Sequence, residues 1–343
     1  MVQRYDFFRI FVPIMRRFII FFMLGCCLSA SAGRLKVGLA LGGGGAKGAA
    51  EVGVLKAIEE AGIPIDYIAG TSVGAIVGGL YAAGYSASEL DTMFRTQEWL
   101  SLLTDRRSDF SSKPYQVENG VTYIFGIPVF ERNSSDTGIA GFGMMKGGRI
   151  EQLIDSMVSY RGCAGFETLP TLFCCVAADF MQAREVVINN GILAKAIRAS
   201  MAIPGVFKPV NIGGTLLVDG GMLNNLPVDV VKAMGADIVI AIDLQQSETT
   251  PPQPIEELTL LEPLANALGL GGLFRWATTR PDIEKYGKNV KMADIYIAPS
   301  LPDMDASSFG NKNSARMIET GYQEGRRHWQ ELMDLKQRLT DGH

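Results

Sequence analysis

The segment Gly70-Thr71-Ser72-Val73-Gly74 carries the residue best suited to nucleophilic chemistry in this 343-residue chain. It follows one short apolar run directly and precedes a second apolar stretch of small residues. A serine on such a strand-to-helix turn is presented to a substrate, and the start of a helix favours developing negative charge. The alternative is that Ser72 is an N-cap residue that only opens the helix. The flanking glycines and the apolar context favour a nucleophile.

The sequence offers Ser72 a carboxylate rather than an imidazole as its base. The two histidines are His328, between charged and aromatic residues near the end of the chain, and His343, the last residue. In contrast, Asp219-Gly220-Gly221 comes directly after a short apolar run, as a carboxylate at a strand end would. A partly desolvated aspartate has a raised pKa and becomes a better proton acceptor. Asp-Gly is also ordinary turn chemistry, so a turn aspartate is the alternative.

The glycine-rich segment Gly42–Gly48 joins a predicted strand to a predicted helix. In such a loop backbone N–H groups converge on one point, which suits either a phosphate or an oxyanion. The spacing Gly43-x-Gly45-x-x-Gly48 matches a dinucleotide fingerprint, but Asp66 opens the next strand, where an acidic residue should end it. Gly48 also stands where a P-loop requires Ser or Thr. Phosphate binding, oxyanion binding and a simple packing turn therefore remain open from the residues alone.

Short apolar runs alternate with segments of helical spacing along most of the chain, which favours an α/β fold with a parallel or mixed sheet covered by helices. The predicted strands are 36–41, 65–69, 171–177, 186–188, 216–218, 238–242 and 295–298. The predicted helices are 49–61, 73–83, 149–160, 193–200 and a long last helix, 313–339.

Residues 96–148 interrupt this rhythm, because they are rich in Ser, Gly, Arg and Asp. We expect an irregular insert here. Its apolar residues Val121–Phe125, Ile127 and Phe130 fit either a lid over an acyl chain or packing into the main core. The expected organisation is a catalytic domain at 33–250 and a mainly helical extension at 251–343 that packs on it.

The first 32 residues have the pattern of a secretory signal peptide. Arginines precede the apolar run Phe18–Leu28, and Ala30 and Ala32 supply a small-residue end. The run is too short to span a bilayer, although an uncleaved membrane anchor is the alternative. We therefore expect an exported protein, periplasmic or membrane-associated.

Composition excludes several other classes of protein. The net charge is −4 with no basic run, so nucleic acid is not an expected partner. The three cysteines beyond residue 32 do not form a disulfide pattern, and no Cys/His cluster has metal-ligand spacing. We expect buried free thiols and neither a metal nor a cofactor.

Taken together, the motifs at 43–48 (GGGAKG), 70–74 (GTSVG) and 219–221 (DGG) resemble those of the patatin-like phospholipase family. The similarity extends over roughly residues 35–245. It includes 198–205 (RASMAIPG) and 224–227 (NNLP), which are typical of bacterial members. A block beyond residue 250, with 305–311 (DASSFGN), also resembles bacterial relatives, although no chemistry attaches to it.

This resemblance implies a three-layer α/β/α fold with a central, mainly parallel mixed sheet. It implies that Ser72 is the nucleophile and Asp219 the base, with an oxyanion hole in the 43–48 loop. We assign its donors to the N–H groups of Gly43, Gly44 and Gly45, helped by Val73, with the remaining motif glycines, Gly48, Gly70, Gly74, Gly220 and Gly221, shaping the turns.

The implied substrates are phospholipids, lysophospholipids or other lipid esters, met at a membrane surface. Two other classes of function stay open: a nucleotide-binding protein that uses the glycine loop, and a catalytically inactive lipid-binding module. The sequence leaves the preferred lipid and the oligomeric state open.

Overall fold

The computed structural model describes residues 34–105, 115–118, 121–124, 127–130, 145–163, 165–204, 206–245 and 281–341. One compact unit comprises Lys36–Lys336; the described residues outside it are Arg34, Leu35 and Gln337–Asp341. The predicted leader, part of the predicted insert and the beginning of the predicted C-terminal extension lie outside the described residues. No helix within the described ranges has both the length and the apolar character needed to cross a membrane.

A mixed eight-stranded sheet forms the centre of the protein. The strands of the described chain are β1 (Val37–Leu41), β2 (Tyr67–Thr71), β3 (Tyr115–Glu118), β4 (Val121–Ile124), β5 (Ile127–Phe130), β6 (Leu172–Asp179), β7 (Arg184–Ile188), β8 (Val210–Ile212), β9 (Thr215–Asp219), β10 (Ile238–Ile242) and β11 (Ile295–Ile297). The central sheet has the order β11-β10-β1-β2-β6-β9-β8, and β7 also pairs with β6. Strands β11 to β6 are parallel, whereas β7, β8 and β9 pair antiparallel.

Helices cover both faces of this sheet. They are α1 (Ala49–Ala61), α2 (Val73–Ala82), α3 (Ala87–Thr96), α4 (Trp99–Leu103), α5 (Gly148–Tyr160), α6 (Leu193–Ser200), α7 (Val228–Ala233), α8 (Pro281–Met292), α9 (Asn311–Arg327) and α10 (Trp329–Asp341). On one face, Val231 of α7 and Tyr286 of α8 share a buried cluster with Ala40 and Val239. On the other, Gly78 of α2 lies against Ile68 of β2. The predicted three-layer α/β/α fold with a mainly parallel mixed sheet is confirmed.

The most regular elements follow directly from their apolar sequences. Strands β1 and β10 are buried along their whole length, because helices cover a parallel sheet on both faces. Helices α1 and α6 and strand β10 have the predicted limits. Strand β2 begins two residues later than predicted and extends to Thr71, so it ends directly before Ser72.

Two expectations were wrong in detail. The insert at 96–148 is not irregular throughout, because its described parts include α4 and an antiparallel three-stranded sheet in the order β3-β4-β5. The long last helix is two helices, α9 and α10, which meet at His328. No glycine or proline stands at His328 or next to it, so the helical spacing alone predicts one continuous helix.

Helix α9 packs on α1 at a distance that only glycine permits. A Cβ on Gly321 would lie 1.9 Å from the carbonyl oxygen of Ala50, and one on Gly53 would lie 1.9 Å from that of Ile318. Real Cβ atoms do not approach backbone oxygens so closely. These two glycines therefore set the separation of the helices.

We expect Gly321→Ala to destabilise the protein by about 1–3 kcal/mol, because the added methyl overfills this contact. Gly287→Ala is the matched control, since Gly287 lies in α8 with no atom within 4 Å of its Cβ position. There the better helix propensity of alanine should stabilise by about 0.5–1 kcal/mol. Urea unfolding of both variants measures the difference, and equal effects would contradict this packing.

Candidate active site

Ser72 occupies a strained turn between β2 and α2. Its backbone angles are φ 57° and ψ −120°, in a region that non-glycine residues rarely occupy. A Cβ on Gly70 would lie 2.2 Å from the carbonyl oxygen of Gly74, and one on Gly74 would lie 2.4 Å from that of Leu41. The two flanking glycines therefore allow the sharp turn that the sequence predicts.

The Ser72 hydroxyl points to the predicted carboxylate and forms no capping hydrogen bond with α2. Its Oγ donates a hydrogen bond of 2.7 Å to Oδ2 of Asp219. Ser72 is 7% exposed and Asp219 is 6% exposed. The geometry thus brings together two residues that are 147 positions apart in the sequence.

Asp219 ends β9 and is buried in a poorly solvated position. Its Oδ1 accepts a hydrogen bond of 2.8 Å from the Gly221 N–H, so the aspartate also has the turn role considered as the alternative. Burial raises the pKa of Asp219 to about 6, and the hydrogen bonds from Ser72 and Gly221 oppose this rise. A carboxylate of this pKa is a stronger base than an exposed one.

The C-terminal end of α6 holds both members of the pair. Oγ of Ser200 accepts a hydrogen bond of 3.0 Å from the Ser72 N–H and donates one of 2.5 Å to the carbonyl of Val176. Just beyond, the carbonyl of Ala202 accepts a hydrogen bond of 2.9 Å from the Asp219 N–H. Sequence reasoning placed these residues in the 198–205 stretch of the resemblance but gave them no role, since a Ser and an Ala at a helix end carry no chemical signal.

The glycine loop leaves β1 and lies beside Ser72. A Cβ on Gly43 would be 3.2 Å from Cβ of Ser72, and one on Gly48 would be 2.1 Å from a methyl of Val73. The Gly43 N–H donates a hydrogen bond of 3.1 Å to the carbonyl of Asn225. The Gly43 N–H is therefore already hydrogen-bonded within the protein, whereas the sequence analysis assigned it as a donor to the oxyanion.

The other three predicted donors are the N–H groups of Gly44, Gly45 and Val73. Among the described residues, no acceptor takes a hydrogen bond from any of them. Val73 is the first residue of α2, where helical N–H groups have no partner within the helix. These three amides therefore keep a free donor among the described residues, unlike that of Gly43.

Lys47 of the glycine loop is hydrogen-bonded within the protein. Its ammonium donates a hydrogen bond to the carbonyl of Leu244. Burial lowers the pKa of Lys47, while the charges of Asp243 and Asp305 oppose the change. The lysine joins the glycine loop to the end of β10.

An apolar cavity opens beside Ser72. Residues of the glycine loop, of helices α2, α3 and α4 and of later segments near Phe207 and Phe309 line it. Its large apolar side chains include Ile76, Phe94, Trp99, Met201, Phe207 and Phe309. The rings of Phe94 and Trp99 are 4.7 Å apart. Phe309 comes from the block beyond residue 250, to which the sequence attached no chemistry.

No imidazole lies at this site within the described part of the chain. His328 is partly exposed and its Nδ1 is 2.9 Å from Oε1 of Glu331. His343 lies outside the described residues.

Cys163, Cys174 and Cys175 are buried free thiols, as expected. The residues described also contain no group of His, Cys, Asp and Glu side chains arranged to hold a metal ion.

The fold and site define a class of α/β protein in which a strained serine turn, a carboxylate and a glycine loop meet at the carboxyl edge of a mainly parallel sheet. The family model of the patatin-like phospholipases matches residues 39–232, more than half of the chain. The chain belongs to the patatin-like phospholipase family.

Similar proteins occur in bacteria and mammals. An uncharacterized NTE family protein of Mycobacterium tuberculosis is 36% identical over 221 residues, which cover 64% of this chain and 52% of the relative. Patatin-like phospholipase domain-containing protein 7 of Mus musculus is 31% identical over 315 residues, 84% of this chain and 20% of the relative. The chain thus spans about half the length of the mycobacterial relative. The crystal structure of VipD from Legionella pneumophila has a TM-score of 0.48 at 16% identity, covering 87% of this chain and 67% of that one.

The buried charge of Asp219 has a cost in stability that can be measured. Because its pKa is about 6 in the folded protein and about 4 when unfolded, the ionised carboxylate destabilises the fold increasingly from about pH 4 and fully above pH 6. We expect Asp219→Asn to raise the free energy of unfolding by about 1–3 kcal/mol at pH 7, with the gain vanishing towards pH 4. Urea unfolding at both pH values tests this; a gain that is the same at pH 4 would contradict it.

Proposed function

We propose that this protein is a serine acyl hydrolase that cleaves a lipid ester through an acyl-enzyme. Ser72 is the nucleophile and Asp219 is the base. The observation that carries the proposal is the 2.7 Å hydrogen bond from Ser72 Oγ to Asp219 Oδ2, made on a strained turn beside an apolar cavity. Phospholipids, lysophospholipids and other lipid esters all supply the required acyl group.

In the first half of the reaction, Ser72 Oγ bonds to the ester carbonyl carbon while its proton passes to Asp219 Oδ2. The carbonyl oxygen becomes an oxyanion, which the N–H groups of Gly44, Gly45 and Val73 stabilise. Fixed donors of this kind are worth about 3–4 kcal/mol each in acyl transfer. The ester C–O bond then breaks, and the departing alcohol takes the proton from Asp219, leaving Ser72 acylated.

In the second half, water attacks the acyl carbonyl and gives a proton to Asp219. The same amides hold the second oxyanion. The bond to Ser72 Oγ then breaks, the serine recovers its proton from Asp219, and the fatty acid leaves. Because Asp219 serves as base and acid in turn, a pKa between those of exposed carboxylates and neutral pH suits both steps.

Nothing in the site favours the nucleotide-binding alternative. The loop amide of Gly43 is not free for a phosphate, because it donates to the carbonyl of Asn225, and the ammonium of Lys47 already donates one hydrogen bond to the carbonyl of Leu244. The adjacent cavity is apolar rather than basic. An inactive lipid-binding module would share the cavity but would not need a strained serine bonded to a buried aspartate.

We further propose that the substrate is met at a membrane surface. Ile203, which lines the cavity, is 41% exposed, and Leu100, next to the cavity residue Trp99 on α4, is 53% exposed. Export, through cleavage or retention of residues 1–32, is part of this proposal and rests on the sequence pattern. The N-terminal residue of the native protein distinguishes cleavage from retention.

The first test of the activity is Ser72→Ala. We expect the purified wild type to release fatty acid from a mixed phospholipid, lysophospholipid and glyceride panel and to be labelled by a fluorophosphonate, because the serine attacks phosphorus as it attacks a carbonyl. Both should fall by at least about 10³-fold in Ser72→Ala. Ser88→Ala, at an exposed position in α3, is the control. Full ester cleavage by Ser72→Ala would rule out this mechanism.

The second test is the pH dependence of kcat/KM. Only ionised Asp219 accepts the serine proton, and its pKa is about 6. Activity should therefore be constant above about pH 7 and fall about tenfold per pH unit well below pH 6. The rate of fluorophosphonate labelling should follow the same curve. A rate that stays unchanged down to pH 4 would argue against Asp219 as the base.

A further inference from the structure

Asn225 lies between the two glycine motifs of the site and is 8% exposed. Its side-chain Nδ2 donates a hydrogen bond of 3.0 Å to the carbonyl oxygen of Gly43. The backbone carbonyl of Asn225 accepts a hydrogen bond of 3.1 Å from the Gly43 N–H. One residue therefore pairs both polar groups of the Gly43 backbone and fixes the orientation of the peptides on either side of it.

The side chain of Asn225 also occupies the space that two glycines leave empty. A Cβ on Gly43 would lie 2.3 Å from its Oδ1, and a Cβ on Gly221 would lie 2.6 Å from the same atom. Gly221 is the residue whose N–H bonds to Asp219. The amide of Asn225 thus touches the glycine loop on one side and the turn after the catalytic aspartate on the other.

Asn225 is itself held in place through its neighbour. The carbonyl of Asn224 accepts a hydrogen bond of 2.9 Å from Thr71 Oγ1, directly before Ser72. The Asn224 side chain donates to Asp229 at 2.8 Å and accepts from Nδ2 of Asn289 at 2.8 Å. Asn289 is fully buried in α8. The segment is thereby anchored to β2, α7 and α8.

We propose that Asn225 is a positioning residue, which holds the glycine loop so that the free amides of Gly44 and Gly45 stay beside Ser72. The proposal rests on the proposed function, in which those amides bind the oxyanion. Because the oxyanion exists only after attack, correct placement of the loop lowers the energy of the transition state more than that of the bound ester.

The variant that isolates this role is Asn225→Asp, which keeps the size of the side chain and replaces the Nδ2 donor by an oxygen. An ionised carboxylate there repels the Gly43 carbonyl. We expect kcat to fall about 10–100-fold, with KM within about twofold of the wild type. The matched control is Asn211→Asp, since exposed Asn211 uses only its Oδ1, as acceptor from the Gly214 N–H.

Protonation of the new carboxyl provides a readout that a purely structural role would not give. A protonated aspartate at 225 has an O–H that can donate to the Gly43 carbonyl. The ratio of the variant rate to the wild-type rate should therefore rise as the pH is lowered from 8 to 6. An unchanged kcat, or a loss that lies wholly in KM, would overturn the proposal.

Hydrogen–deuterium exchange tests the same placement without turnover. Peptides that cover Gly42–Gly48 should exchange faster in Asn225→Asp than in the wild type or in Asn211→Asp; equal exchange would refute the positioning role. Should Asn225→Asp not fold, Asn225→Ala replaces it in the measurements of kcat and of hydrogen–deuterium exchange. An inactive, unlabelled wild type would contradict the proposed function, whereas a fully active Asn225 variant contradicts only this inference.

Discussion

The hydrogen bond between Ser72 and a buried Asp219 is the interaction on which the arrangement of the site depends. In the proposed mechanism no imidazole takes part, so the carboxylate has to be a strong enough base by itself, and burial favours this by raising its pKa to about 6. Burial is also unfavourable for the folded state, because an ionised carboxylate is kept from water. Among the described residues, two hydrogen bonds, from Ser72 and Gly221, offset that penalty. The position of Ser72 and Asp219 must therefore be stabilised by contacts with the surrounding structure as well as by their own hydrogen bond.

The support comes from segments that bind both members of the pair at their backbones. Ser200 at the end of α6 accepts the N–H of Ser72, and Ala202, two residues later, accepts that of Asp219, so one short stretch of chain sets their separation. Asn224 and Asn225 fix the strand before Ser72 and the glycine loop beside it. Strain at Ser72 persists because these contacts over-determine its position, as is usual for strained residues at functional sites.

The sequence was sufficient for the parts of the structure that depend on local pattern. Apolar runs located β1 and β10 because parallel strands are buried on both faces, and glycines on either side of Ser72 marked a turn that other residues cannot form. Contacts between distant segments had no such signal. Nothing near Asn225 or Ser200 in the sequence reveals that each bonds to a partner more than 100 positions away. The division of the last helix at His328 was equally invisible.

The site also extends beyond the region that the family model matches. That match ends at residue 232, yet the carbonyl of Ala306 accepts a hydrogen bond of 2.9 Å from the Ala46 N–H of the glycine loop. Gly45, with φ +59°, has no room for a Cβ because the same carbonyl would lie 2.4 Å from it. Phe309 then forms part of the cavity wall. The glycine loop and the apolar cavity are therefore completed by residues after 300. Under the proposed function, the features that distinguish one acyl chain from another are then divided between the matched region and a segment outside it.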